Sequence, residues 1–267
     1  MDKDMLMVNI RKSKVLRTVL MPAVLIRKKQ EERAYRKLPD SQYLKKFKGI
    51  HKGGRCFVIG NGPSLTVSDL ELLKGEVTFA TNGIFHIFDQ TDWRPTFYMS
   101  MDNSYLDSQI DEIKQHVKGR KFLNYSCHGH GRKKEDKIVY FLIKGPYKAD
   151  RKDFYQTDVS EDISDYFAQT FSVTTTCIEF AIYMGFEEIY LIGVDNNYSF
   201  TDKTKSNHFY SSAEGFKGVV HYDDNQVKSY ELYREFALKH GCTIYNATRG
   251  GKLEVYPRVT LEDVLAR

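Results

Sequence analysis

The chain has 267 residues, of which 41% are hydrophobic and 13% aromatic, and its formal net charge is +5. This composition excludes a largely disordered chain, because it supplies enough apolar surface for a full core. Its four cysteines are scattered without a C-x-x-C pair, and the sequence shows no secretory signal. These features favour a cytoplasmic protein with reduced thiols.

Positive charge is concentrated at the N-terminus. Residues 1–50 carry 14 Lys and Arg against 5 Asp and Glu, whereas the rest carries 26 against 30. The apolar stretch at 15–26 is too short to span a bilayer and is flanked by basic clusters. Residues 1–29 therefore either lie on an anionic membrane surface, which would make the protein peripheral on the inner face of the membrane, or pack on the domain as a helix. The arm lacks interleaved aromatic residues, so no nucleic-acid partner is expected.

We divide the chain into a basic, partly amphipathic arm at 1–50 and a folded domain at 51–267. The polar, Lys-rich segment at 30–52 is interpreted as the end of a helix followed by a linker into this domain.

The segment RCFVIGNGPSL at 55–65 is the most informative motif. A short apolar run breaks at two glycines and a proline and continues into an apolar-periodic segment at 65–73, which predicts a strand, a tight loop and a helix. Gly60 and Gly62 permit positive φ and close approach of a ligand, and Pro63 suits a first helical turn. The loop thus predicts a phosphate site for a nucleotide. The alternative is a turn that binds nothing, since the third glycine of a dinucleotide motif is missing.

Apolar runs alternate with amphipathic segments along the rest of the chain, which is typical of βαβ units. We predict an α/β fold: a Rossmann-like, open, mostly parallel sheet with helices on both faces and a lid loop. The predicted strands lie at 56–59, 77–80, 96–100, 138–143 and 188–195. Three of them end near Asn82, Asp102 or Asp195, at the edge where such sheets bind ligands. Alternatively, these side chains bond only to loop backbone.

Two later segments add candidate residues. A helix predicted at 171–185 begins with a threonine run, so Thr174 and Thr175 either cap the helix or bind a ribose or base. The polar, aromatic loop that follows is long enough to be a lid, and it carries Tyr198, His208, Tyr210 and His221. Because histidine titrates near neutrality, His221 is a candidate general base, although a structural role is the simpler alternative.

Several separated motifs occur in an order that resembles the 6-hydroxymethylpterin diphosphokinase MptE-like family. They are GNGPSL at 60–65, ATN at 80–82, GFEEIYLIGVDNNYS at 185–199, HFY at 208–210, HYDDNQVKSYELY at 221–233 and IYNATRGGKLEVYPRV at 244–259. The family in turn resembles the bacterial sialyltransferases of glycosyltransferase family 42, which use a CMP-sugar. The chain departs from those enzymes at 170–174, which argues against sialic acid as the donor sugar.

The resemblance implies an inverting glycosyltransferase, with a CMP-sugar favoured as donor and a glycan or glycolipid acceptor, in bacterial surface polysaccharide or glycoconjugate synthesis. It gives His221 the role of catalytic base and lets Tyr198 and Tyr210 assist the departing phosphate without a metal, so no cofactor is required. The residues assigned to the nucleotide are Gly60, Asn61, Gly62, Ser64, Asn82, Asp102, Thr174, Thr175 and Asp195.

Two other functions stay open. A diphosphokinase that transfers pyrophosphate from ATP to a hydroxymethyl pterin would need Mg²⁺ and would make Asp102 and Asp195 candidate metal ligands. A non-catalytic nucleotide-binding protein would bind the same ligands without turnover.

Overall fold

The computed structural model describes residues 14–125, 137–145, 158–197, 207–210 and 222–267. The α-helices are α1 (Lys14–Tyr35), α2 (Pro39–Leu44), α3 (Val67–Leu72), α4 (Asn103–His116), α5 (Val173–Tyr183), α6 (Tyr222–Lys239) and α7 (Leu261–Leu265). The strands are β1 (Arg55–Ile59), β2 (Thr78–Thr81), β3 (Phe97–Ser100), β4 (Lys121–Asn124), β5 (Ile138–Phe141), β6 (Ile143–Lys144), β7 (Phe167–Ala168), β8 (Glu188–Ile192) and β9 (Thr243–Asn246). Short 3₁₀ helices cover Lys45–Phe47 and Asn82–Ile87.

Seven of these strands form one parallel sheet in the order β5-β4-β3-β2-β1-β8-β9. The chain builds outward from β1 through β2 to β5 and then resumes with β8 and β9 on the other side of β1. The strand order therefore reverses between β1 and β8, and an open α/β sheet binds its ligand at such a point. Strands β6 and β7 form a separate two-stranded parallel pair.

The sheet is covered on both faces, and β1 shows how its sequence achieves this. Phe57 and Ile59 belong to one apolar core with residues of α3, α4 and α7, whereas Cys56 and Val58 belong to a second core with residues of α5 and α6. Since successive side chains of a strand point to opposite faces, a continuous apolar run is what a central, doubly covered strand requires. The predicted Rossmann-like α/β fold with helices on both faces is confirmed.

Two local predictions need correction, and two strands of the sheet were not predicted. The helix after the glycine loop begins at Val67 rather than near Pro63, because Thr66 and Asp69 form a capping box there. The predicted strand at 138–143 divides into β5 and β6, and neither β4 nor β9 was predicted. Only two of the four residues in β4 (KFLN) and in β9 (TIYN) are apolar, too few to mark a strand in the sequence.

The segment at 30–52 is helical over much of its length rather than a linker. Tyr35 and Leu44 are fully buried, one in each core, because α1 ends against the domain and α2 packs beside β5. By contrast, no side chain in 22–34 is buried, and Ile26 is 58% exposed. Within the part of the chain that the structure describes, no helix is both long and apolar enough to cross a bilayer.

A buried carboxylate, Glu179 of α5, joins α5 to its neighbours. It accepts hydrogen bonds from the backbone N–H groups of Ser160 and Ala168 and from the hydroxyl of Tyr233 on α6. Burial raises the pKa of Glu179 to about 7, and these hydrogen bonds oppose the shift. The folded state thus favours the protonated acid more than the unfolded state does.

We therefore expect Glu179 to make stability depend on pH. The pKa of Glu179 in the folded state lies above its unfolded value of 4.5, so its contribution to the free energy of unfolding is fully present below about pH 4.5. This contribution, on the order of 3 kcal/mol, is lost as the pH rises through about 7. Glu179→Gln removes this dependence, so the wild-type melting temperature should fall relative to that of the variant between pH 4.5 and 7.5. Exposed Glu231→Gln is the control, and parallel wild-type and Glu179→Gln curves would contradict the assignment.

Candidate functional site

A cleft opens at the carboxyl edge of the sheet, where the strand order reverses. Its empty volume, part of which is open to solvent, is about 560 Å³. One wall is formed by the loops after β1, β2 and β8, and the other by the start of α5 and the first turns of α6. Neither lysine nor arginine is among the described residues that line the cleft.

The glycine loop after β1 is shaped by contact with the loop after β8. The N–H groups of Gly60 and Gly62 donate to the carbonyls of Ile192 and Gly193, both at 2.8 Å. A Cβ on Gly62 would overlap the Asp195 carboxylate and approach the Gly193 carbonyl oxygen to 2.8 Å. Neither Gly60 nor Gly62 has positive φ, so a left-handed conformation is not the reason for glycine here. Glycine is needed because the loop after β8 approaches the backbone of both residues too closely to leave room for a side chain. These two N–H groups are bonded within the protein rather than aimed at an anion.

Asp195 is held against this loop. Its carboxylate accepts hydrogen bonds from the Ser64 hydroxyl at 2.8 Å and, more weakly, from the Ser64 N–H at 3.4 Å. Burial raises the pKa of Asp195, and the bonds from Ser64 act in the opposite direction. Ser64 does not itself line the cleft, so its contact fixes the position of Asp195.

Asparagines that follow the strands supply further polar groups. The Asn61 amide donates to the Thr81 carbonyl at 2.9 Å, and the Asn82 side-chain oxygen accepts from Ser100 at 2.9 Å. Asn82 and Asn196 have positive φ, +43° and +48°, a conformation that asparagine tolerates better than most residues. Such backbone strain is often found at functional sites.

The opposite wall is built around the start of α5. Ser172 is the N-cap residue, its hydroxyl accepts from the Thr174 N–H at 3.2 Å, and it lies 3.3 Å from the Tyr230 hydroxyl. Thr174 lines the cleft, whereas Thr175 is fully buried and bonds to the Ser172 carbonyl. Gln226, one turn before Tyr230, also lines this wall and is 2% exposed.

A short segment of the loop between β8 and α6 packs on the glycine loop. The N–H of Phe209 donates to the Asn61 carbonyl at 3.0 Å, and the His208 ring bonds to the same backbone group. Burial lowers the pKa of His208, and this hydrogen bond opposes the effect. Tyr210 stacks on His208, with ring centroids 5.1 Å apart, and lies so close to Gly83 that a Cβ there would overlap its ring.

The structure brings many of the predicted residues together, but not all. Those that line the cleft are Gly60, Asn61, Gly62, Asn82, Thr174 and Asp195. Asp102 instead caps α4, where its carboxylate accepts from the Tyr105 N–H at 2.7 Å, and Tyr210 contacts the cleft residue His208 without lining the cleft itself. Tyr198 and His221 lie outside the described residues, as does most of the predicted lid.

Sequence reasoning named His208 only as a side chain of the predicted lid and did not select Asn196 or Gln226, although all three line the cleft. The run of two asparagines directly after the β8 motif could have indicated Asn196. No local pattern distinguishes Gln226 from the other polar residues of α6.

Comparisons with known proteins agree with this architecture. The fold is similar to a solved structure described as the MAf glycosyltransferase from Magnetospirillum magneticum AMB-1, with a TM-score of 0.50 and 17% sequence identity. The match covers 82% of this chain but only 38% of that one. No curated protein matches the sequence. A family model described as 6-hydroxymethylpterin diphosphokinase MptE-like matches residues 30–201, and the chain therefore belongs to the MptE-like family.

Proposed function

We propose that the protein is a transferase that binds a nucleotide-activated sugar in the cleft between β1 and β8 and passes the sugar to a hydroxyl of a glycan or glycolipid. The observation that carries this proposal is the convergence of the glycine loop, Asn82 and Asp195 at the reversal of strand order. Membership of the MptE-like family and the fold shared with a glycosyltransferase both support a transferase.

In the proposed reaction, a base removes the proton from the acceptor hydroxyl while its oxygen bonds to the anomeric carbon. The bond between that carbon and the phosphate oxygen breaks, and its electron pair leaves with the nucleotide. The resemblance to sialyltransferases assigns His221 as the base, which would give inversion at the anomeric carbon. A CMP-sugar is the favoured donor, and surface polysaccharide or glycoconjugate synthesis is the proposed setting.

The diphosphokinase alternative would require a magnesium site. Its candidate ligands were Asp102 and Asp195, but only Asp195 lines the cleft, and the Asp102 carboxylate caps α4. The described residues therefore do not supply this pair as a shared metal site. The proposed sugar transfer needs neither carboxylate as a metal ligand.

A thermal-shift screen tests the nucleotide assignment. CMP, CDP, UDP, GDP, ADP and ATP are each added with Mg²⁺ and with EDTA, since a ligand that binds only the folded state raises the melting temperature. We expect CMP to give an equal rise in both conditions. A rise with Mg-ATP alone would favour the diphosphokinase, and no rise with any nucleotide would contradict the proposed function.

We also propose that residues 1–29 hold the protein on an anionic membrane surface, where a glycolipid acceptor would be available. In the described part of this segment, the side chains from 22 to 29 are not buried, and Arg27, Lys28 and Lys29 follow the exposed Ile26. Deletion of 1–29 should release the protein from vesicles containing phosphatidylserine, whereas the full chain should sediment with them. Equal sedimentation would contradict the membrane role, and phosphatidylcholine vesicles are the control.

A further inference from the structure

Three oxygen atoms on the cleft wall are buried without a hydrogen-bond partner among the described residues. They are Oδ1 of Asn61, Oδ1 of Asn196 and Oε1 of Gln226. A buried acceptor that has lost water and gained no donor costs free energy, so native proteins keep few of them. Three around one cleft indicate that a ligand supplies the donors.

The chemistry of these atoms restricts which part of a nucleotide sugar they contact. All three are acceptors, whereas a phosphate at neutral pH offers acceptor oxygens and is bound by N–H groups or cations. The described lining contains no lysine or arginine, and its carboxylate, Asp195, is a further acceptor. This surface therefore suits hydroxyl and amino groups rather than the phosphate.

Gln226 is the most buried of the three side chains. It is 2% exposed, and it lies one helical turn before Tyr230, whose hydroxyl is 3.3 Å from Ser172 at the start of α5. An apolar side chain of the same length would fill this position without leaving an unpaired oxygen. Among the described residues, nothing that packs beside Gln226 calls for an amide at this position.

We infer that Gln226 is a specificity-determining residue whose Oε1 accepts a hydrogen bond from a hydroxyl or amino group of the bound nucleotide. This inference rests on the proposed function. The donor is a ribose hydroxyl or an amino group of the base, and the two are distinguishable by experiment.

The test compares Gln226→Met, which keeps length but has no acceptor, with Gln226→Glu, which keeps an acceptor. Titration calorimetry with CMP, UMP, AMP and GMP and with their 2′-deoxy forms supplies the affinities. We expect Gln226→Met to lower the affinity for the preferred monophosphate by about tenfold. The Gln226→Glu variant should bind this monophosphate more tightly than Gln226→Met does. The melting temperature of the unliganded Met variant should equal or exceed that of the wild type, because an unpaired buried oxygen has been removed.

The 2′-deoxy forms identify the donor. If a ribose 2′-hydroxyl is the donor, the wild type should bind the 2′-deoxy form about as weakly as Gln226→Met binds the ribonucleotide. In that case Gln226→Met should bind the 2′-deoxy form with the same affinity as the wild type does. If the base or the 3′-hydroxyl supplies the donor, the substitution should weaken both forms equally.

Different outcomes would overturn the inference in different ways. Equal affinity of the wild type and Gln226→Met for every monophosphate would overturn the role of Gln226 alone. No binding of any monophosphate or deoxy form by the wild type would overturn the proposed function and the role of Gln226 with it. A lower melting temperature of Gln226→Met with unchanged affinity would show that Gln226 acts only in packing.

Discussion

Gly62→Ala is expected to lower the melting temperature by several degrees and to weaken nucleotide binding at least tenfold. The added Cβ would overlap the Asp195 carboxylate and approach the Gly193 carbonyl oxygen to 2.8 Å, so the loops after β1 and β8 must separate. Overpacking of this kind costs about 1–3 kcal/mol. The separation would also displace Asp195 from Ser64 and move Asn61, which lines the cleft.

Gly119→Ala is the matched control for this substitution. A Cβ on Gly119 would meet no atom within 4 Å, and Gly119 does not have positive φ, so we expect a change within about 0.5 kcal/mol. Thermal melting and titration with the nucleotide that gives the largest thermal shift measure both effects. Wild-type affinity in Gly62→Ala would show that the glycine loop does not form the nucleotide site.

His221→Ala is expected to reduce sugar transfer by about 10²- to 10⁴-fold, the usual contribution of a general base, with little change in nucleotide affinity. A base acts on the acceptor hydroxyl, so its loss affects the chemical step more than donor binding. Turnover of a CMP-sugar with a glycolipid acceptor and titration with CMP separate these two quantities.

His208→Ala provides the comparison, because His208 lines the cleft and bonds to the Asn61 backbone. We expect this variant to weaken nucleotide binding, since it removes a contact that holds the glycine loop. If His221→Ala loses binding and transfer together, the assignment of His221 as base is wrong. Transfer that depends on His208 and not on His221 would place the base at His208, and nucleotide binding by the wild type without turnover would favour a non-catalytic protein.

Much of the fold could be predicted because continuous apolar runs mark the central strands of the sheet. The run CFVI at 56–59 matches a central strand covered on both faces, and the strand predicted at 188–195 is observed at Glu188–Ile192. The strands Lys121–Asn124 and Thr243–Asn246 were not predicted because only two of the four residues in each are apolar. The start of α3 was predicted near Pro63, but the capping box at Thr66 makes the helix begin at Val67.

The candidate site could be predicted in part for a similar reason. Asn61, Asn82 and Asp195 each follow a strand, and parallel strands bring their carboxyl ends to one edge, so adjacency in the fold follows from the sequence pattern. The pattern does not distinguish a side chain that lines the cleft from one that caps a helix. Asp102 shows this limit, since it follows β3 as predicted but bonds to the start of α4.

The sequence by itself determined the α/β class, the glycine loop, the asparagines at the strand ends and the family resemblance, because these depend on local patterns and on motif order. Only the tertiary structure decided that Gly62 is required by contact with Asp195, that Ser64 holds that carboxylate, and that Gln226 from α6 completes the opposite wall. The first two contacts join residues 133 and 131 positions apart in the chain. Such pairings are set by how the helices and loops pack on the sheet, which no local pattern of residues encodes.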